Sequence, residues 1–340
     1  MVSSDDPRPG LAADSGHGSG SNASAVDIDV VIVTANSREM TLGCVRSLPV
    51  APWLRVAIVD NGSSDGSVQA LRDELDERGE VLALEQGVGF AAASNRGAEL
   101  GTGALVLFLN SDILAPPGSI EALREQLLAD GRAVAAGGRL VDPGTRTTQP
   151  GYRPRRFPSL VGLAVILFGV EKLWPENPIS RRFHATELDE SATQAVDGQP
   201  AAAALLVRRA ELDAVGGFDE RFWFWFEDSD LIRRLSARGR ILWVPSAPFE
   251  HLGGAGFSSW DRVQHIRSLH HGMLNYAGAQ FSRRDQMLLG LLAVAVSLPR
   301  VLLFARARPP EARAWRAVAR AGWALARGHS VPPIAGATTS

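Results

Sequence analysis

The sequence is short of several things, and each shortage removes a class of answer. It has one cysteine, Cys44, so neither an intrachain disulfide nor a cysteine-built zinc site can hold the chain together. The simplest role for that thiol is a small buried apolar residue in a helix. Lys172 is the sole lysine; arginine carries the positive charge, which reads as genome composition rather than function. No basic-then-apolar leader opens the chain. Residues 1–26 are mostly Ser, Gly, Asp, Ala and Pro, too poor in apolar groups to fold, and are expected to form a disordered lead. There is no internal repeat. No Gly-x-Gly-x-x-Gly follows the first predicted strand, which disfavours a dinucleotide-binding oxidoreductase. Thr34–Arg38 is not a basic Gly-rich loop, which disfavours a nucleotidyltransferase. A membrane-spanning helix needs about 20 apolar residues, and Leu288–Ala305 is interrupted by Pro299 and Arg300, so no span is expected.

What is present is ordinary globular material: 340 residues, 45% hydrophobic and 21% charged, enough for one large α/β domain with appendages. The net charge of -2 points to no nucleic-acid partner. That average hides an asymmetry, because residues 281–330 hold nine arginines against Asp285 and Glu311.

The first half alternates strand and helix. Short β-branched runs at Ile28–Thr34, Leu54–Asp60, Val81–Glu85, Ala104–Leu109 and Val134–Val141 are separated by helical patterns over 38–48, 65–78, 90–100 and 118–129. That spacing predicts βαβ units and a parallel sheet. From 142 to 196 the pattern breaks into mixed Pro, Arg and aromatic residues. Beyond it the reading gives an apolar stretch and helix over 201–216, a helix over 228–238, a strand at Ile241–Pro245, and helices over 260–278, 284–305 and 311–327. The expected organisation is a catalytic domain over 27–260, divided at 141/142 into nucleotide-binding and acceptor-binding halves. A basic helical extension over 261–330 and a tail over 331–340 follow. In the last helix Arg313, Arg316, Arg320 and Arg327 share one face, with Trp315, Val318 and Leu325 opposite. Such a helix suits an anionic membrane surface; it equally suits packing on the domain with its arginines in water.

Ligands of open α/β sheets sit beyond the carboxyl ends of the strands. There the sequence places Thr34-Ala-Asn36, then Asp60-Asn61-Gly62-Ser63-Ser64-Asp65, then the Gly87–Gly97 segment with Asn95, then Asn110-Ser111-Asp112. Asp60 reads as turn chemistry, or as an acceptor for a base N–H or a ribose hydroxyl. Asp112 reads as a turn aspartate, or as the carboxylate that Mg²⁺ or Mn²⁺ needs beside a diphosphate. In the second half five consecutive aromatics, residues 222–226 with Trp223 and Trp225 among them, run into Glu227-Asp228 at a predicted helix start. Acids there can serve the helix dipole. Against apolar walls they are also desolvated, which raises proton affinity and suits a general base, while the aromatics can stack on a sugar ring. His251, leading into Gly-rich Leu252–Ser258, reads as structural, as a metal ligand or as a diphosphate contact. Arg153, Arg155 and Arg156 can meet a phosphate or lie in a solvated loop.

In family order these residues form Val31–Asn36, Val59–Ser67, Gly89–Gly97, Leu109–Asp112, Gly216–Arg221, Glu227–Leu231 and His251–Ser258. That set resembles the family 2 glycosyltransferases, in their rhamnosyltransferase-like branch. The resemblance covers roughly residues 28–260. It implies a GT-A fold: a Rossmann-like, mostly parallel sheet flanked by helices, here with a C-terminal helical extension. It also implies roles. Thr34, Asn36, Asp60 and Asn61 would hold the nucleoside, and Asn95, Asn110 and Ser111 would line the donor site. Asp112 and His251 would bind a divalent metal, Mg²⁺ or Mn²⁺. Asp228 would be the catalytic base with Glu227 beside it. Three positions depart from the family pattern: Asn110 replaces the first acid of the metal motif, Gly87 stands where Asn is frequent, and Ala35 where Tyr is.

The implied reaction is one inverting displacement. It moves a sugar, rhamnose as the first choice, from a TDP- or UDP-linked donor to a hydroxyl of a glycan or polyprenyl-diphosphate-linked acceptor in cell-wall or polysaccharide synthesis. The implied place is the cytoplasmic face of the cell membrane, with Trp223, Trp225, Arg153 and Arg156 as acceptor contacts. The rival from another class is a non-catalytic nucleotide-sugar-binding or membrane scaffold protein that keeps the fold; retention of Asp112, Glu227, Asp228 and His251 argues against it.

Overall fold

The computed structural model describes residues 27–333 apart from 176, 185–187 and 254–259. The expected disordered lead, most of the tail and most of the Gly-rich loop after His251 lie outside the described residues.

The first half follows the expected alternation: β1 (Ile28–Thr34), α1 (Arg38–Ser47), β2 (Leu54–Asp60), α2 (Ser67–Leu75), β3 (Gly79–Ala83), α3 (Phe90–Glu99), β4 (Leu105–Leu109), β5 (Ile113–Leu114), α4 (Ser119–Ala129) and β6 (Ala133–Val141). The broken stretch supplies α5 (Leu160–Phe168), α6 (Val170–Leu173), α7 (Pro178–His184) and β7 (Gln194–Ala195). Then come β8 (Ala204–Arg208), α8 (Arg209–Ala214), α9 (Glu227–Ser236), β9 (Arg240–His251), α10 (Arg262–Gln280), α11 (Arg283–Phe304) and α12 (Pro309–Arg327).

One sheet runs through the molecule in the order β3-β2-β1-β4-β8-β6-β9-β5, with β7 also paired to β9. The strands β3, β2, β1 and β4 are mutually parallel. Their runs are apolar because helices cover both faces, as parallel sheets require; all five residues of β4 are buried. The second half is mixed. The strand β8 enters antiparallel between β4 and β6, while β6 and β9 are parallel. The mostly parallel, helix-flanked sheet with a helical C-terminal extension is therefore the expected one, and every antiparallel strand pairing involves β8 or β9.

One sequence boundary is corrected. The strand β9 does not stop at Pro245; it continues to His251. Its register against β6 jumps between Gly138↔Val244 and Arg139↔Pro248, so Pro245–Ala247 bulge out. A bulge is where a strand tolerates proline, and here it swings the end of β9 onto β5, pairing Ile113 with His251. The helix α11 lies within one residue of the expected 284–305 at each end and runs unbroken through Pro299 and Arg300. By length and composition it is the one described helix able to cross a membrane, and one third of its most apolar window is buried. Arg300 turns back on the protein: it donates to Val296 O and Phe168 O and stacks over the Trp315 ring at 4.7 Å.

The helix α12 has the expected two faces. Trp315, Val318 and Leu325 are buried, while Arg313, Arg316, Arg320 and Arg327 are exposed. The apolar face is spent on packing. It lies antiparallel against α11, where Gly290 and Gly322 meet so closely that a Cβ on either would collide with the other's carbonyl. Arg283 fastens the end of the pair by donating to Leu325 O and Ala326 O.

Candidate active site

The strand ends of the first half form a shelf. Thr34 Oγ1 is hydrogen-bonded to Thr41 Oγ1 at 2.7 Å, and Thr34 O accepts from Asn61 N. Asn36 adopts a left-handed backbone, φ 48°, a conformation Asn tolerates better than most residues. Its backbone N–H donates to Ser63 Oγ, and its Oδ1 accepts from Ser64 N. Asn61 Oδ1 accepts from Val88 N and so holds the loop before α3. Asp60 uses only half its carboxylate: Oδ1 accepts from Ser63 N at 2.9 Å, whereas Oδ2 is buried with no partner. A buried unpaired acceptor costs on the order of 1–3 kcal/mol, and Oδ2 is such an atom at the end of β2. Asn95 lies apart from this group. Its amide donates to Phe218 O and Glu220 Oε1 and accepts from Phe218 N, tying α3 to the segment before the aromatics.

Beyond β4 a cavity of about 440 Å³ opens between the two halves. Asn110, Ser111, Asp112, Arg155, Trp225, Glu227, Asp228 and His251 all line it, so the structure brings the acids at 112 and 228 to one space. Thr34, Asn36, Asp60, Asn61, Asn95, Trp223, Arg153 and Arg156 do not line it. Arg153 instead pairs with Glu190 at 2.8 Å, and Arg156 N donates to Phe183 O. Trp223 supplies its carbonyl to Phe90 N. There a Cβ on Gly89, itself at φ 88°, would crowd the Trp223 backbone, so this approach requires glycine.

Asp112 sits where β5 begins. The bulge in β9 brings His251 Nε2 to 3.5 Å from Asp112 Oδ2, and Leu252 N donates to Asp112 O. Both side chains are nearly buried. Asp112 also acts on its surroundings. The Cys44 thiol is pushed up first by burial and then by the Asp112 charge. The Tyr152 phenol is pushed up by the same two causes, with Arg155 opposing. Among the described residues no group of three His, Cys, Asp or Glu side chains stands ready for a metal. The pair still fits Mg²⁺ or Mn²⁺, which take one or two protein ligands and complete their shell with diphosphate oxygens and water.

Glu227 and Asp228 open α9. The turn into them is strained: Trp225 and Phe226 both have positive φ, 74° and 68°, each costing on the order of 1–3 kcal/mol. The packing of α10 supports it, because a Cβ on Gly272 would overlap the Trp225 carbonyl. The turn delivers the two carboxylates to different surroundings. Glu227 is fully buried, its Oε2 has no partner, and burial, then the neighbouring Asp228 charge, push it up to about 8. It holds its proton to higher pH than an ordinary glutamate does. Asp228 is partly exposed, accepts from Ser229 N at 2.7 Å, and faces Arg155 Nη2 at 3.7 Å.

Sequence reasoning missed part of this site. Gln149 and Tyr152 hold His251 from the side: Gln149 Oε1 lies 2.8 Å from His251 Nδ1, and the Tyr152 ring meets the imidazole edge-on at 4.4 Å. Gln199 lines the cavity with both amide ends buried and unpartnered. The wall formed by α5 and α7, including Leu163, Ile166, Ile179 and Phe183, is largely apolar. In the sequence the apolar run Leu160–Val170 and the cluster of Tyr152 with arginines and prolines hint at it.

The family model for glycosyl transferase family 2 matches residues 29–190. The chain is 32% identical over 238 residues to an N-acetylglucosaminyl-diphospho-decaprenol L-rhamnosyltransferase of Mycobacterium tuberculosis, covering 66% of this chain and 74% of that one. The chain belongs to glycosyl transferase family 2 and is a glycosyltransferase. Among solved structures it is similar to Staphylococcus aureus TarS 1-349 (TM-score 0.46, 15% identity, 89% of this chain and 92% of that one). It is also similar to the mannosyltransferase PcManGT from Pyrobaculum calidifontis in complex with GDP-Man and Mn²⁺ (TM-score 0.48, 17% identity, 89% and 86%).

Proposed function

We propose that the chain transfers rhamnose from a TDP- or UDP-linked donor to a hydroxyl of a polyprenyl-diphosphate-linked glycan, with inversion, at the cytoplasmic face of the membrane. The observation that carries this reading is the shared cavity of Asp112 and Asp228. Asp228 accepts the acceptor hydroxyl's proton as that oxygen bonds to the anomeric carbon and the nucleoside diphosphate leaves from the opposite side. Arg155, at 3.7 Å, orients Asp228 without covering it. Glu227 stays neutral beside it, which keeps a second negative charge away from the attacking oxygen. Asp60 Oδ2 takes a base N–H or a ribose hydroxyl. Asp112 and His251 would hold Mg²⁺ or Mn²⁺, which when bound neutralises charge on the departing diphosphate.

The acceptor class is drawn from the Mycobacterium relative, whose name gives a decaprenyl-diphosphate substrate. The membrane contact is drawn from α11. Its outward stripe is apolar, with Met287, Leu288, Leu291, Leu298, Leu302 and Leu303 exposed, the last two at 78% and 71%. Arginines of the adjacent α12 face solvent beside it. An apolar stripe next to a basic one matches an anionic bilayer surface, and α5, which lines the cavity, packs against α11.

The test is Asp228→Asn. It should abolish transfer while nucleotide-sugar binding, followed by calorimetry, survives. Unchanged turnover would remove Asp228 from the chemistry, and a product of retained anomeric configuration would remove the single displacement.

A further inference from the structure

We propose that Gln149 sets the tautomer of His251, and so decides which ring nitrogen is presented toward Asp112. The role proposed for that nitrogen rests on the metal-binding reading above; the tautomer itself does not. Gln149 makes two contacts to the same residue. Its Nε2 donates to the His251 backbone carbonyl at 2.9 Å, and its Oε1 lies 2.8 Å from His251 Nδ1. A carbonyl oxygen only accepts, so the amide nitrogen must be the end beside it, and this settles which way the amide points. The amide oxygen then faces Nδ1, and an amide oxygen also only accepts. The proton between them therefore belongs to Nδ1.

In the neutral ring the consequence falls on the other nitrogen. With Nδ1 protonated, Nε2 carries a lone pair, and it is Nε2 that stands 3.5 Å from Asp112 Oδ2. An ionised carboxylate has only lone pairs to offer. The Nε2 lone pair is then turned toward the Asp112 carboxylate, the orientation that two ligands of one cation would present. Histidine ligands of metals are commonly oriented in this way by a partner on the remote nitrogen.

Gln149 is built into place. The chain leaves β6 at Val141 and turns on Asp142, whose Oδ1 accepts from Gly144 N and Thr145 N. It returns through the Val141↔Thr148 bridge, and Gln149 N donates to Leu140 O. The side chain is thereby registered against the end of β9 by backbone hydrogen bonds. Gln149 is a positioning residue: it touches His251 and does not line the cavity.

The test uses the full chain with ¹⁵N-labelled histidine, near pH 8, with no metal added. Long-range ¹H–¹⁵N correlation should show His251, assigned by its loss in His251→Ala, as the Nδ1–H tautomer in wild type and as a mixture in Gln149→Met. An Nε2–H or doubly protonated ring in wild type, or an unchanged tautomer in Gln149→Met, overturns the proposal. The second arm titrates Mn²⁺ alone, reading the free ion by electron paramagnetic resonance, on variants shown to be folded by thermal unfolding. Gln149→Met should bind about 10–100-fold more weakly than wild type. Undiminished Mn²⁺ binding by Gln149→Met would reduce Gln149 to a packing residue and overturn the proposal. If wild type binds no Mn²⁺ while the tautomer responds as stated, the metal reading falls and the assignment of Gln149 stands.

Discussion

Replacing Glu227 by Gln removes one ionisation and almost nothing else, because the two side chains have the same shape. In the folded chain burial, helped by the charge on Asp228, pushes the Glu227 carboxyl from its ordinary 4.5 up to about 8. The folded state therefore holds this proton over a pH range in which the unfolded chain has lost it. The sign follows: stability from this group is complete below the unfolded value, declines as pH rises, and is lost once pH passes the folded value. At about 1.36 kcal/mol for each pH unit of separation, the wild type should lose on the order of 4 kcal/mol between pH 4.5 and pH 8 through this group. The Glu227→Gln variant should escape that loss. Urea unfolding of both proteins from pH 5 to pH 9 is the measurement, and the stability difference between them should grow with pH in favour of the variant until it levels off. Parallel curves would mean that Glu227 titrates normally, and the account of a neutral acid beside the base would be wrong. Activity gives a second reading. The glutamine amide mimics the protonated acid, so transfer at pH 7 should survive in the variant, whereas a catalytic role for an ionised Glu227 requires its loss.

Three further outcomes follow from the geometry. Gly272→Ala places a Cβ against the Trp225 carbonyl, so the strained turn must shift; turnover should fall at least tenfold with nucleotide binding retained, and wild-type kinetics would show that the turn does not set Asp228. Asp60→Asn puts an amide on the buried carboxylate of the shelf; where the amide nitrogen takes the Oδ2 position it meets the ligand's N–H or hydroxyl as a second donor, and nucleotide affinity by calorimetry should drop about tenfold or more. Leu302→Glu and Leu303→Glu put charges on the exposed stripe of α11; they should reduce sedimentation with anionic liposomes while leaving turnover on a short, lipid-free acceptor unchanged, and undiminished sedimentation would place the membrane contact elsewhere.

The fold is legible in the sequence where a local pattern reports it. The strands β1, β2 and β4 are β-branched or apolar runs bounded by turn residues, and helices of the right length separate them, so the parallel half follows directly. The helix α12 is legible for the same kind of reason: its arginines recur on one face and its apolar residues on the other. What periodicity cannot report is which surface the apolar face meets, and the close approach of Gly290 to Gly322 gives it to α11. The strand β9 is misjudged because two prolines ordinarily end a strand, and only the bulge against β6 reconciles Pro245 and Pro248 with continued pairing. The α5–α7 wall is legible only as the apolar run Leu160–Val170, because its short helices sit in a segment without a clear helical or strand period.

The site shows the same division, and the reason is physical. Asp112, Asp228 and His251 are recognisable as residue types at strand and helix ends, but their meeting depends on long-range register. Asp112 and His251 meet because β9 bulges by three residues and then pairs with β5. Without the bulge, a strand in continuous register with β6 would carry residue 251 three positions further along the sheet, by roughly 10 Å at the usual strand rise, and the Asp112–His251 pair would not form. Gln149 is less visible still, since its role consists of two hydrogen bonds to a residue far away in the chain, and nothing in its neighbours' composition announces them. Here the sequence offers candidate groups by type and position, while the irregularities of the sheet decide which of them face each other.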